Sequence, residues 1–306
     1  MESAHPTPAN TPVKVSKLGY VEFETPDLDR LVDYYTRVLD FVLVERSATE
    51  AYLTTSFDHH AVVLRSAAEA RARTVVGWEI FEDLSDAERR LTEAGFEVSR
   101  RSDIAPSTPD VLVLDEPVTG SRLHLYDAQS GSGVKGYTPM RPTKLGHVAS
   151  FTSDLETVQA FYQNVLGFKW SDTVGDFFAF LRCNGDHHAA NFMRSQSFSG
   201  MHHVAYEMRD VNHLQTMLDH LAANDYRLEW GPGRHGAGHN LFTYHKDPDG
   251  NNIELFTQID VIVDEAKGYF EPRPWHNDFP QYPKTWEVDA IAVNAWGPIN
   301  PAMLEH

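Results

Sequence analysis

The period of the apolar positions changes again and again along this chain. Residues 18–24 form a short apolar run of strand length. Residues 28–39 then carry apolar side chains at helical spacing. Short strand-like runs follow at 51–53 and 61–64. A second unit has a strand over 74–81, a helix over 85–94 and strands near Glu97, over 111–114 and over 122–126. The second half repeats the order. Its strands are expected at 146–151, 177–181, 189–193, 203–208, 241–244 and 253–257, its helices at 155–166 and 211–223. Strand, helix and three strands, four times over, is an α+β pattern.

The repetition is also literal. KLGYVEFETPDLDRLVDYYTRVLDF, from residue 17, is answered by KLGHVASFTSDLETVQAFYQNVLGF, from residue 144, an offset of 127 (144 minus 17). Further on, Asp58-His59-His60-Ala61 matches Asp186-His187-His188-Ala189. Such repeats dictate architecture. The chain therefore divides into a disordered N-terminal arm (1–16), a first domain (17–129), a linker containing Pro and Gly (130–143), a second domain (144–258) and an irregular C-terminal arm (259–306).

Composition narrows the function classes. The 306 residues are 42% hydrophobic and 23% charged, the balance of a soluble globular protein. A net charge of -18 and no basic patch argue against nucleic acid and against an anionic membrane surface. No apolar run has membrane-spanning length, and the N-terminus lacks the basic start and apolar core of a signal peptide. A single cysteine, Cys183, excludes an internal disulfide and fits a reducing cytoplasm. It reads as a small buried side chain, not a nucleophile.

The chemistry gathers in the second half. The stretch 233–254 ends in Asp-Pro-Asp-Gly, a strand-joining turn, and then Glu254 within the apolar run Ile253, Leu255, Phe256. A carboxylate in such a strand asks for a cation. His147, in GHVASF, and His203, in HHVAYEM, lie on two other strands. Two imidazoles and one carboxylate suit an iron-type divalent site with open positions. The duplication supplies a control. Aligned by sequence, His147 corresponds to Tyr20, His203 to Val76 and Glu254 to His124, so the first half keeps the frame without the triad. His202 competes with His203, since neighbours on a strand face opposite ways.

Gly233, His235, Tyr244, Asp247, Pro248, Gly250 and Glu254 together resemble the signature of the extradiol ring-cleavage dioxygenases of the vicinal oxygen chelate type. The likeness runs from about residue 17 to 258, with Thr243 where the family usually has an apolar residue. It implies four βαβββ modules arranged as two tandem barrel-like domains. It implies Fe(II), or Mn(II) in some members, held by His147, His203 and Glu254, and it favours His203 over His202. His188 takes the family's acid/base position, with His187 as its rival, and His235 and Tyr244 resemble the pair that touches the bound substrate or oxygen. The partners implied are a catechol and O2, in a homo-oligomer.

Two other classes stand beside this one. A glyoxalase-like isomerase or thiol transferase shares the frame, though its ligands generally come from both halves. A metal-free binder of small aromatics would show no tight metal. Trp170, Phe177, Phe178, Phe180, Phe192 and Met193 lie on predicted pocket strands. These aromatics favour an alkyl-, halo- or aryl-substituted catechol over a carboxylated one. His239 and His245 match no role and are expected at the surface.

Overall fold

A computed structural model of the chain describes residues 11–134, 136, 138–273 and 281–303, with no side chains described for 71–74 and 303. The first half contributes strands β1 (Val15–Thr25), β2 (Val42–Arg46), β3 (Glu50–Thr54), β4 (Val62–Ser66), β5 (Arg71–Ile80), β6 (Ser99–Arg101), β7 (Val111–Asp115) and β8 (Arg122–Tyr126). Its helices are α1 (Leu28–Asp33) and α2 (Leu84–Glu93). The second half repeats the plan with β9 (Lys144–Thr152), α3 (Leu155–Asn164), β10 (Lys169–Val174), β11 (Phe178–Arg182), β12 (Ala190–Arg194), β13 (Gly200–Glu207), α4 (Val211–Ala223), β14 (Leu228–Arg234), β15 (Leu241–Lys246) and β16 (Asn252–Thr257). This is the expected set of four βαβββ modules, two to a sheet.

Each module enters its helix through an aspartate. Asp27, Asp83, Asp154 and Asp210 cap the four helices by accepting a backbone N–H of the first turn. Such a cap stabilises a helix by about 1 kcal/mol. The helix expected over 28–39 is α1 only to Asp33. The backbone then widens into a π-turn over Tyr34–Val38, where the Leu39 N–H reaches the Tyr34 carbonyl at 3.1 Å. Tyr34 and Tyr35 are both fully buried in that turn.

The strand orders are β2-β3-β4-β1-β5-β8-β7-β6 and β14-β15-β16-β13-β9-β12-β11-β10, the second extended beyond β10 by one strand from the tail. In each sheet the two modules meet through antiparallel first strands, β1 with β5 and β9 with β13. One continuous apolar core spans both halves. Trp78 of the first half packs on Tyr162 and Phe168 of the second, and the Tyr206 hydroxyl donates to that of Tyr35 at 3.2 Å.

Both arms differ from expectation. Residues 1–10 lie outside the described residues, but the rest of the predicted N-terminal arm is ordered. Val13 and Val15 donate backbone hydrogen bonds to Val165 and Leu166 across the halves, 3.0 Å each. The C-terminal arm is not irregular. It forms a hairpin of β17 (Ile262–Asp264) and β18 (Tyr269–Phe270), then β19 (Lys284–Trp286), which pairs with β10, then a short helix α5 (Ala290–Asn294). Its residues 274–280 lie outside the described residues. Prolines made the stretch look unstructured, whereas β19 sits at a sheet edge, where such sequence is tolerated.

Candidate metal centre

The register of the second sheet assembles the site. Ala205 on β13 stands opposite His147 on β9 and opposite Glu254 on β16. Glu254 in turn stands opposite Tyr244 on β15, and Tyr244 opposite Trp230 on β14. These residues form one row across five neighbouring strands, and rows share a face. Ala205 is small, so the side chains on either side of it can converge. His203 lies two residues from Ala205 and therefore on the same face.

The convergence is tight. His147 Nε2 and Glu254 Oε2 are 3.0 Å apart, His203 Nε2 and Glu254 Oε2 3.0 Å, and the two Nε2 atoms 3.2 Å. Ligands at about 2.1 Å from one ion and at right angles would be separated by about 3.0 Å (2.1 Å times √2). The triangle therefore has the size of one face of a coordination sphere, leaving the opposite side open. His147 and Glu254 are 1% exposed. Burial works against an ionised Glu254, but the two imidazoles hold its carboxyl well below the usual range. His203 is pushed down by burial, so it stays neutral and able to donate a lone pair. No lysine or arginine lines this cavity among the described residues, so no side-chain cation substitutes for an ion.

Around the triangle, Tyr244 donates its hydroxyl to Glu254 Oε2 at 2.9 Å and Asn240 donates to Oε1 at 3.0 Å. The Tyr244 phenol is pushed well above its usual value by burial and by Glu254. His235 stacks on Phe242, 3.8 Å between ring centres, and its Nδ1–H donates to the Val293 carbonyl of α5 at 2.6 Å. Its Nε2, 3.3 Å from the Tyr244 oxygen, is thereby left as an acceptor. Burial lowers His235 to about 4. His188 packs edge-on against His147, 4.3 Å between centres, and lines the cavity, while His187 does not. Burial, then His147, push His188 well below the usual histidine value.

The remaining wall is apolar except for buried Asn191: Val174, Phe178, Phe180, Met193, Trp230, Ala237, Ala292 and Val293. Of the aromatics expected here, Trp170 and Phe192 instead belong to the main core, and Phe177 packs beside Phe178. Cys183 is packed against that core, and burial pushes its thiol up to about 12.

Four expectations need correction. His202 also lines the cavity, because Met201 and His203 stand opposite the adjacent residues Ser150 and Ala149, leaving His202 as the extra residue of a bulge. His239 and His245 are not at the surface. His239 Nδ1 lies 2.7 Å from buried Asp260, and Tyr34 of the first half reaches His245 Nε2 at 2.7 Å. Burial lowers His245 to about 3. Finally, the first-half counterpart of His203 is Val75, not Val76. Val21 pairs with Val76 as Val148 pairs with Val204, one residue beyond His203. The counterpart triad in the first half is closed by its own side chains. Tyr20 lies over Gly77 and its hydroxyl is 2.7 Å from His124 Nδ1. Sequence reasoning did not find Asn240, Ala292 or Val293, which come from a loop and the tail.

The profile of the Glyoxalase/Bleomycin resistance protein/Dioxygenase superfamily matches residues 17–117 and 144–255. The chain is 37% identical over 123 residues to metapyrocatechase 2 of Cupriavidus necator, a match spanning 40% of this chain and 38% of that one. It is 25% identical over 278 residues to an iron-dependent extradiol dioxygenase of Rhodococcus jostii, covering 83% and 93%. It is 23% identical over 295 residues to a manganese-dependent 2,3-dihydroxybiphenyl 1,2-dioxygenase of Geobacillus genomosp. 3, covering 86% and 90%. Among solved structures, homoprotocatechuate 2,3-dioxygenase from Arthrobacter globiformis superposes with a TM-score of 0.82 at 24% identity, over 98% of this chain and 94% of that one.

Proposed function

The chain belongs to the Glyoxalase/Bleomycin resistance protein/Dioxygenase superfamily, and from that premise we propose that it is an extradiol ring-cleaving dioxygenase, inserting both atoms of O2 into a catechol. The observation that carries this reading is the triangle of His147 Nε2, His203 Nε2 and Glu254 Oε2 at 3.0–3.2 Å, opening onto an apolar cavity that His188 also lines. In this reading the three residues hold Fe(II), with Mn(II) as the alternative that one relative's name supplies. The ion, when bound, supplies Lewis acidity toward the two catechol hydroxyls and an electron path between catechol and O2.

The side chains do the rest. Neutral His188 accepts the second hydroxyl proton of the catechol and later returns a proton to the departing oxygen, a role typically contributing about 10²–10⁴-fold. The acceptor nitrogen of His235 and the hydroxyl of Tyr244 fix the reacting oxygens. Phe178, Phe180, Met193 and Trp230 hold the ring and exclude water. With no cation among the described lining residues, the substrate is an uncharged alkyl-, halo- or aryl-substituted catechol.

The test is anaerobic loading with Fe(II), then oxygen uptake and visible absorbance with catechol, 3-methylcatechol, 2,3-dihydroxybiphenyl and a carboxylated catechol. One O2 per diol with a yellow product, and slow turnover of the carboxylated one, is expected. A stably bound metal with no uptake on any diol would sink the dioxygenase reading.

A further inference from the structure

Behind His188 lies a buried acid and a second histidine that the proposed chemistry leaves unused. His187 Nδ1 is 2.8 Å from His188 Nδ1, and His187 Nε2 is 3.1 Å from Asp172 Oδ2. Asp172 is 1% exposed and His187 0%. Two donors of β19 close on the same carboxylate: the Lys284 backbone N–H on Oδ1 and the Trp286 indole N–H on Oδ2, both 2.8 Å.

Hydrogen counting fixes the chain of bonds. Donors on both oxygens favour the carboxylate form of Asp172, which has no proton of its own to give. The hydrogen between Asp172 and His187 therefore sits on His187 Nε2. A neutral His187 then has a bare Nδ1. The hydrogen between the two Nδ1 atoms must belong to His188, which leaves His188 Nε2 bare. His188 lines the cavity and His187 does not, so that bare nitrogen belongs to the ring that meets the substrate.

We propose that Asp172 and His187 are positioning residues that hold His188 as its Nδ1–H tautomer, so that the nitrogen offered to the catechol is a base. This rests on the dioxygenase reading for its purpose but not for its geometry. The first half carries a looser copy. There Glu45, the register counterpart of Asp172, lies 3.7 Å from His59 Nε2, and His59 and His60 are 3.2 Å apart. Glu45 is half exposed, and β2 is the end of its sheet, with no strand among the described residues where β19 lies. The paired histidines thus belong to the duplicated frame, whereas the sealed carboxylate belongs to the second half alone.

Asp172→Asn is the informative change. The amide has one oxygen for the Lys284 N–H, the Trp286 indole N–H and His187 Nε2; where its NH2 takes the place of Oδ2 it donates to His187 Nε2, where the carboxylate accepted. His187 must then carry its hydrogen on Nδ1 and donate to His188, which turns His188 into the Nε2–H tautomer. In the Ser-His-Asp triad the same replacement costs about 10⁴ in kcat through the wrong tautomer. The experiment is long-range ¹H–¹⁵N correlation on ¹⁵N-histidine-labelled protein loaded with Zn(II), with His187→Gln and His188→Gln used for assignment. Wild type is expected to show His188 as Nδ1–H and His187 as Nε2–H, and Asp172→Asn to reverse both. With Fe(II) and the best diol, Asp172→Asn is expected to lose about 10²–10⁴-fold in kcat, with KM and bound metal unchanged and with partial recovery in Asp172→Glu. His188 found as Nε2–H in wild type overturns the proposal, and this measurement needs no Asp172 variant. Correct tautomers in a protein that consumes no O2 would refute the dioxygenase reading and leave the tautomer control standing.

Discussion

Replacing Asn240 by alanine isolates one donor from an otherwise intact site. Asn240 is fully buried, and its side chain gives one hydrogen bond, 3.0 Å to Glu254 Oε1. The backbone bond from His235 N–H to the Asn240 carbonyl, 3.1 Å, survives the change. Tyr244 still donates to the other carboxylate oxygen. A hydrogen bond to a charged group contributes about 1.5–3 kcal/mol. At about 1.4 kcal/mol per tenfold, Asn240→Ala should weaken metal binding by roughly 10- to 100-fold, the range usual for groups that orient a ligand. Anaerobic competition against a chromophoric chelator measures this for Mn(II) and Fe(II) in parallel. Asn240→Asp should lose more, because a second carboxylate would face Oε1 across a dry gap. If Asn240→Ala binds metal within twofold of wild type at unchanged melting temperature, Glu254 is not a ligand oriented by this bond.

Glu254→Gln keeps an oxygen for Tyr244 to bond but removes the charge, so metal content by elemental analysis should drop to background in a folded protein; retained stoichiometric metal would contradict the triad. Removing the metal with a chelator should abolish oxygen uptake, and adding Fe(II) back should restore it. Buried His60, His124 and His245 each sit at about 3, against 6.5 in the unfolded chain. The unfolded state therefore takes up protons first, so their stabilisation is complete above pH 6.5 and is lost as pH falls toward 3. Each contributes a slope of about 1.4 kcal/mol per pH unit in that window, and denaturant midpoints that stay flat from pH 7 to pH 4 would refute it. A Cβ added at Gly146 would come 2.3 Å from the Phe256 ring, which packs on His147 at 5.0 Å. Gly146→Ala should cost about 1–3 kcal/mol and weaken metal binding together; an unshifted melting temperature would show that the ring moves freely.

The modules and the convergence of His147, His203 and Glu254 were legible because both depend on strand periodicity and on a duplicated sequence. His147, Ala205 and Glu254 need only straight register to meet. What escaped depends on breaks in register or on distant chain. The bulge that brings His202 inward has no local signature, and misjudging register also displaced Val75 by one. His245 looked exposed because its neighbours form a polar turn; Tyr34 of the first half and Tyr226 of the second pack on its ring. Asp172 was not recognised because its partners in β19 lie more than a hundred residues away in a stretch without a repeat counterpart.

The closed site of the first half specifies an engineering experiment in the language of grafting. Strand register equates Tyr20 with His147, Val75 with His203 and His124 with Glu254. Gly77 already supplies the gap that Ala205 supplies in the other sheet. Tyr20→His, Val75→His and His124→Glu together would transplant the coordinating face onto a scaffold that the chain already folds. The frame for such a triangle then resides in the spacing of five strands, and side chains alone decide which of the two sheets presents it.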